Sequence, residues 1–252
     1  MKHLAFRGLA GSDLEVDAIP LVVVWGATPK LTLFGITPLL DKQLTIGTPA
    51  GQMSRGDSGV GDLTLLARYT LWQRDSRGAT FRVAPFVGVE APTGRDDAKD
   101  ALGSLPSPLQ LGSGSWDPVL GLVVTRQTLG WQVDSSFSYQ ANTEANDFEI
   151  GDVARFDLSY QHRVRPRELS AGVPSFVYAV LESNVVWQDR HRAAGQEVSD
   201  SGGTSWYLAP GIQHVRKRLI LEAAVQVPVA QSLHGSARES DWIGTVSLRF
   251  NF

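Results

Sequence analysis

Few side chains in this sequence have the type and spacing for covalent chemistry. There is no cysteine. That removes thiolate nucleophiles, disulfides and cysteine metal sites, and it suits an oxidising compartment. The five histidines, His3, His162, His191, His214 and His234, are scattered, with no HxH or HExxH spacing to hold a metal. A hydrolytic serine needs a base within hydrogen-bond reach. The nearest local pair, Ser159 and His162, differs in parity along an extended run, so the two side chains point to opposite sides. The stretch APTGRDDAKDALG carries Asp96, Asp97 and Asp100, with Glu90 upstream. These carboxylates could hold Ca²⁺ or bridge lipopolysaccharide through divalent ions, but a solvated loop is the simpler expectation. The sequence therefore predicts no enzyme, no cofactor and no metal site.

What remains is a question of which elements position the polar groups. The net charge of −3 over 252 residues offers no basic footprint, so no nucleic-acid partner is expected. The longest apolar run, Ile19–Ala27, is nine residues and contains Pro20 and Gly26. A membrane helix requires about 18 to 20. Transmembrane helices are excluded, whereas a transmembrane barrel is not, because its strands alternate and average to modest hydropathy.

A period of two dominates the chain. In Trp131–Asn142, Trp131, Val133, Phe137 and Tyr139 share one face, and Gln132, Asp134, Ser136 and Gln140 share the other. Val153–Arg163 sets Ala154, Phe156, Leu158, Tyr160 and His162 against Arg155, Asp157, Ser159, Gln161 and Arg163. Leu219–Ala230 and Asp241–Phe252 repeat the pattern. Less regular runs occupy Leu14–Thr28, Leu31–Leu44, Gly61–Gln73, Thr80–Thr93, Trp116–Thr128, Ser175–Gln188 and Thr204–Val215. Most runs reach about 11 to 14 residues, against about 5 to 6 in soluble proteins and about 9 to 11 for a tilted strand in a bilayer.

The connections alternate in length. Short turns fall at Thr28-Pro29, Arg74–Gly78, Leu129-Gly130 and Arg216–Arg218, with a medium one at Arg165–Pro174. Longer polar loops fall at Gly47–Gly59, Gly94–Ser115, Thr143–Asp152, Asp189–Gly203 and Ser232–Ser240. Outer-membrane barrels have short periplasmic turns and long outer loops. If the short turns are periplasmic, an even-numbered barrel needs one strand before Leu14, and only Met1–Ala10 is available. The expectation is all-β: one domain over 1–252, a transmembrane antiparallel β-barrel of about 12 strands with its first strand short or truncated. No signal-peptide h-region precedes it, as in a processed or truncated chain.

On this reading Trp131, Phe137, Tyr139, Phe156, Tyr160, Trp242 and Phe250 meet lipid. Trp72, Trp116, Trp131, Trp187, Trp206 and Trp242 form interfacial girdles. The opposite faces converge on a lumen lined by Arg68, Arg82, Glu90, Asp134, Arg155, Asp157, Arg163, Glu182, Asn184, Gln188, Glu222, Gln226 and Arg249. These groups either neutralise one another across strands or form a mixed ring that orients a solute. Prolines 20, 38, 85, 118, 210 and 228 fall within strand runs and are expected at bulges or bends. The loop Gly94–Ser115, with Leu102, Leu105, Leu109 and Leu111 among prolines, is the expected plug or funnel.

Several segments resemble one family. GVGDLTLLARYTL (Gly59–Leu71), GVEAPTG (Gly88–Gly94), LGSGSWDPVLGL (Leu111–Leu122), SYQANTEANDFEIGD (Ser138–Asp152) and the terminal SLRFNF are similar to outer-membrane proteins grouped as the MetA-pathway of phenol degradation family. Its motifs map onto Gly59, Gly61, Asp62, Gly112, Gly114, Trp116, Asp117, Gly151 and Asp152, where glycine permits positive φ and aspartate bonds local amides. The resemblance implies a barrel passing hydrophobic or aromatic solutes across the outer membrane of a Gram-negative bacterium. No catalytic residues carry over from it. The aromatic end, Phe252, resembles the signature by which the barrel-assembly machinery takes up its clients. Implied partners are outer-membrane lipid and lipopolysaccharide, that machinery, and a small solute. The alternatives are a structural or adhesion-type barrel without transport, or a soluble β-sandwich.

Overall fold

The computed structural model describes residues 1–7, 12–48, 51–169, 172, 175–237 and 239–252. Its strands are β1 (Lys2–Arg7), β2 (Ser12–Gly26), β3 (Leu31–Thr48), β4 (Gly51–Val60), β5 (Leu63–Tyr69), β6 (Trp72–Ser76) and β7 (Ala79–Ala91). After a small hairpin of β8 (Lys99–Asp100) and β9 (Gly103–Ser104) come β10 (Asp117–Thr128), β11 (Trp131–Gln140), β12 (Phe148–Glu149), β13 (Val153–Arg165) and β14 (Phe176–Gln188). The last are β15 (Arg192–Ala193), β16 (Gln196–Glu197), β17 (Gly203–Arg216), β18 (Leu219–Leu233) and β19 (Glu239–Phe250).

Twelve of these close a ring in the order β10-β11-β13-β14-β17-β18-β19-β1-β2-β3-β5-β7, with β7 pairing back onto β10. Every pairing is antiparallel and most follow chain order, so consecutive strands are joined as hairpins. Closure leaves few backbone groups for lipid to strand without partners. The short first strand completes the ring. Lys2 lies opposite both Ala18 and Thr245, and the Met1 ammonium donates to the Val246 carbonyl at 2.7 Å. The end of the expected first segment, up to Ala10, lies outside the described residues.

The side-chain faces decide the environment. Phe137, Val225 and Leu248 are 46%, 48% and 68% exposed on the outer wall, where a soluble sandwich would bury them. Their neighbours Gln140, Asp157 and Gln226 are half-buried on the inner side. Trp72, Trp116, Trp187, Trp206 and Trp242 are exposed outside. Trp131 is instead partly covered, with the Arg126 guanidinium 5.9 Å from its ring. The Trp206 indole donates to Ser183 Oγ at 2.9 Å, satisfying two outer-face polar groups where lipid offers no partner.

The segment Gly47–Gly59 is not a long loop. β3 runs to Thr48 and β4 pairs with it from Thr48–Gly51 down to Leu39–Val60, a hairpin prolonged past the ring. Its polar, glycine-rich sequence hides the strand because no lipid face imposes alternation there. The expected strand Gly61–Gln73 is likewise broken. β4, β5 and β6 succeed one another along one path, interrupted at Gly61-Asp62 and Thr70-Leu71. Of the prolines, Pro20 and Pro38 face each other across β2 and β3, and Pro228 faces Tyr207 at the register shift between β17 and β18.

Candidate functional site

The largest run of chain between ring strands, residues 92–116, turns into the barrel mouth. Ala98, Leu105 and Leu109 form a cluster with the inward side chains Leu14 of β2 and Leu44 of β3, and Val16 and Ile46 pack against it. Leu109 is fully buried, and Leu111 nearly so. Leu102, expected to share this role, is 63% exposed and points away. The inner faces of β2 and β3 are apolar near the mouth, and burying them against the loop removes that surface from water.

Aspartates at the ends of strands hold the loops in place. Asp62 accepts the Gly94 N–H at 2.8 Å on one oxygen and the Ser113 N–H at 2.7 Å on the other, so one carboxylate pins both ends of the inward loop. Asp117, almost wholly buried, accepts the Ser115 hydroxyl at 2.9 Å and the Thr143 N–H at 2.8 Å. Asp152 accepts the Asn142 N–H at 2.9 Å and the Tyr139 hydroxyl. Glycine is required where these chains cross. A Cβ on Gly112 would lie 2.5 Å from the Gly94 carbonyl oxygen, and one on Gly61 would lie 2.8 Å from the Pro38 ring. Gly114 has φ +76°, a left-handed conformation costly for other residues. Trp116 stands exposed beside Asp117, its carbonyl 3.2 Å from the Thr143 hydroxyl. The motif residues thus share one mechanical role in fixing outer loops.

The inward loop is also latched at its outer edge. Arg55 on β4 grips Asp100 through Nε and Nη2, at 2.7 and 2.8 Å, and Nη2 also donates to the Gly103 and Ser104 carbonyls. That bidentate contact holds the Asp100 carboxyl below the usual carboxylate range. Arg95 pairs with Asp57 at 2.5 Å, and Lys42 Nζ donates to the Gln110 carbonyl at 2.5 Å. Asp96 accepts the Asn146 amide at 2.8 Å. Asp96 and Asp100 are therefore taken by separate donors, and among the described residues no acidic or histidine cluster suited to a metal forms.

Beneath the loop lies a cavity of about 1070 Å³, lined in part by Pro106 and Pro108 of the loop and by Lys2, Arg155, Gln188 and Gln226 of the wall. Arg155 Nε donates to Asp157 at 3.0 Å, and the same carboxylate oxygen accepts the Asn184 amide at 2.7 Å. Asp134 accepts the Thr125 hydroxyl at 2.6 Å, Glu222 the Gln213 amide at 2.7 Å and Glu90 the Thr64 hydroxyl at 3.3 Å. Glu182 lies within electrostatic range of Glu222, Asp157 and Lys2. Arg68 sits 4.9 Å from the centre of the Phe34 ring. Arg82, Arg163 and Arg249 belong to the opposite ends of their strands, near the short turns, and join no cluster with Arg155. Ser159 and His162 stand on opposite sides of β13, and His162 stacks with Tyr160 on the outer side.

Two features escape a reading by residue type. Lys2 lines the cavity although its strand is short. Tyr207 lines it too, 8% exposed, from the inner face of β17. The parity of Ser205, Tyr207 and Ala209 marked that face, but no charge drew attention to it. At the outer rim, Gly151 N–H donates to His191 Nδ1 at 3.0 Å, and burial pushes the His191 imidazole pKa down.

Comparisons with known proteins agree with this architecture. The family described as "Putative MetA-pathway of phenol degradation" matches residues 11–231. The crystal structure of an outer membrane channel from Pseudomonas putida F1 is similar, with a TM-score of 0.65 at 18% identity over 98% of this chain and 91% of that one. The beta domain of the Bordetella autotransporter BrkA follows, with a TM-score of 0.50 at 11% identity over 100% of this chain and 96% of that one. At these identities the likeness concerns the fold. No curated protein matches the sequence.

Proposed function

The chain belongs to the MetA-pathway of phenol degradation family, and from that membership we propose that it is a passive outer-membrane channel for small hydrophobic or aromatic solutes. The observation that carries this reading is the two-sided lumen. Leu4, Leu14 of β2, Ile243 and the prolines Pro106 and Pro108 of the inward loop share one cavity of about 1070 Å³ with Arg155, Gln188 and Gln226. A solute with a ring and a polar end loses part of its hydration there and regains contacts on both sides, with no cofactor needed. With twelve strands the interior lies between the filled eight-stranded barrels and the open porins. The inward loop then sets how wide the passage is. The similar fold of the outer membrane channel from Pseudomonas putida F1 supports the same direction, and the exposed apolar outer wall supports residence in lipid.

Swelling of liposomes containing the barrel, measured with phenolic and sugar solutes, tests the proposal. Phenolic solutes enter faster than in protein-free vesicles, and faster than sugars. Entry of neither class above the protein-free rate refutes the channel and favours a barrel with a structural or adhesive role. Charge exchange in the lumen, Arg155→Glu or Glu222→Arg, shifts the reversal potential in planar bilayers. Unchanged potentials in both variants refute the lumen path as drawn.

A further inference from the structure

We propose that the upper lumen is a binding site for small amphipathic monoanions, a ring or short chain bearing one carboxylate or sulfonate, with Lys2 and Arg155 holding the head group. The inference rests on the reading of the lumen as a solute path and narrows it to a charge class. Among the described residues, the side chains lining the cavity that can carry charge near neutral pH are Lys2, Arg155, His191 and Asp200. Asp200, in the outer loop before β17, is engaged by the Ser236 N–H at 2.7 Å. His191 accepts from the Gly151 N–H and carries no proton on that nitrogen. Among the described residues, two cations are left facing the space, against the single hydrogen-bonded carboxylate of Asp200 at its outer edge.

Neither cation is used up by the protein. Lys2 Nζ makes no hydrogen bond or ion pair within the described residues, although Asp157 and Glu182 lie within electrostatic range. Arg155 spends Nε on Asp157, while its terminal nitrogens make no hydrogen bond within the described residues. Asp157 thereby fixes one edge of the guanidinium and leaves the other to face a ligand. Glu182 and Glu222, the other acidic groups of this wall, are not among the lining residues, and Glu222 already takes the Gln213 amide.

The remaining lining explains why the anion must be amphipathic. Leu4, Leu14, Pro106, Pro108, Tyr207 and Ile243 surround the same space. A small hydrated anion gains nothing from those walls, and a neutral hydrocarbon leaves the cations with water alone. A monoanion with an apolar body satisfies both. Charge-assisted bonds to an ammonium and a guanidinium are the stronger kind, and limited water strengthens them further.

The test uses the full chain in lipid nanodiscs and equilibrium dialysis, with benzenesulfonate, which has no neutral form near pH 7, and trimethylphenylammonium, a cation of similar size. Benzenesulfonate is retained saturably above empty nanodiscs and the cation is not. Lys2→Gln and Arg155→Gln each weaken that retention about tenfold or more. Lys2→Gln removes no hydrogen bond of the described residues, so loss in that variant does not report misfolding, and heat-modifiable gel migration confirms closure of both barrels. Equal retention of the two ions overturns the inference, as does undiminished benzenesulfonate binding in the double variant. Binding without solute passage in the swelling assay would count against the channel alone. Passage without charge-dependent binding would count against this site alone.

Discussion

Replacing Asp62 by alanine should free the inward loop while leaving the barrel closed. The carboxylate accepts two backbone N–H groups, from Gly94 and Ser113, and is only 8% exposed. A hydrogen bond to a charged acceptor contributes about 1.5 to 3 kcal/mol. Water will enter the vacated space and recover part of that, so the lower figure is appropriate for each bond, about 3 kcal/mol together. That corresponds to roughly a hundredfold rise in the population of the detached loop. The readout is hydrogen exchange in nanodiscs at Leu105, Leu111 and Gly112, whose N–H groups bond to Ala98 and Arg95 carbonyls within the loop. Their protection should fall by about two orders of magnitude, while amides of β13 and β14 keep theirs. The apolar cluster around Leu109 opposes detachment but is the same in both proteins, so the difference isolates the clamp. If loop protection falls less than about threefold in a barrel that still shows heat-modifiable migration, Asp62 does not hold the loop and the reasoning fails.

Three further outcomes follow from the same geometry. Arginine at Val225, on the outer face of β18, should cost about 2 to 4 kcal/mol of folding stability in lipid vesicles, whereas arginine at the adjacent inner position Gln226 should cost far less. Equal costs in denaturant titrations would reverse the assignment of faces. The Asp100 carboxyl is held below its ordinary value by Arg55, so the latch is intact above the unfolded carboxyl pKa and is lost as pH falls through the lowered folded value. Hydroxyl-radical labelling of Leu105 and Leu109 should therefore rise on strong acidification, and at neutral pH in Asp100→Asn; labelling that ignores both would remove the latch. His191 has its pKa lowered by burial, so the folded state resists its protonation, and stability declines as pH drops from the ordinary histidine value near 6.5 toward the lowered one. Exchange of the Gly151 amide, corrected for intrinsic rate, should be faster at pH 5 than at pH 7, and His191→Gln should abolish that pH dependence.

Much of this architecture could be read from the order of residues. From Ala154 to Tyr160 in β13 and from Leu219 to Val229 in β18 every second side chain is apolar, and a strand presents alternate residues to opposite sides whatever surrounds it. Strand length, the outward aromatics and the need for one more strand before Leu14 follow from such local rules. The same rule misleads at the start of β2, where the apolar parity of Leu14, Val16 and Ala18 turns inward beneath the loop and Asp13, Glu15 and Asp17 turn outward, because near the mouth it is the inward loop that covers the apolar face. The β4 hairpin was not legible, because above the membrane neither face must be apolar and the alternation disappears.

What the order of residues determined is the set of faces, since period two is a property of each strand alone. Where the polar faces meet was decided only when the ring closed. Closure brings Lys2 of the first strand near Arg155 of β13, far apart in sequence. It also creates an apolar pocket over β2 and β3 that draws Leu105 and Leu109 inward rather than into solvent. Asp62 illustrates the division. Its acidity is written in the chain, but its two N–H partners come from residues 32 and 51 positions away, and only folding puts them within 3 Å of one carboxylate.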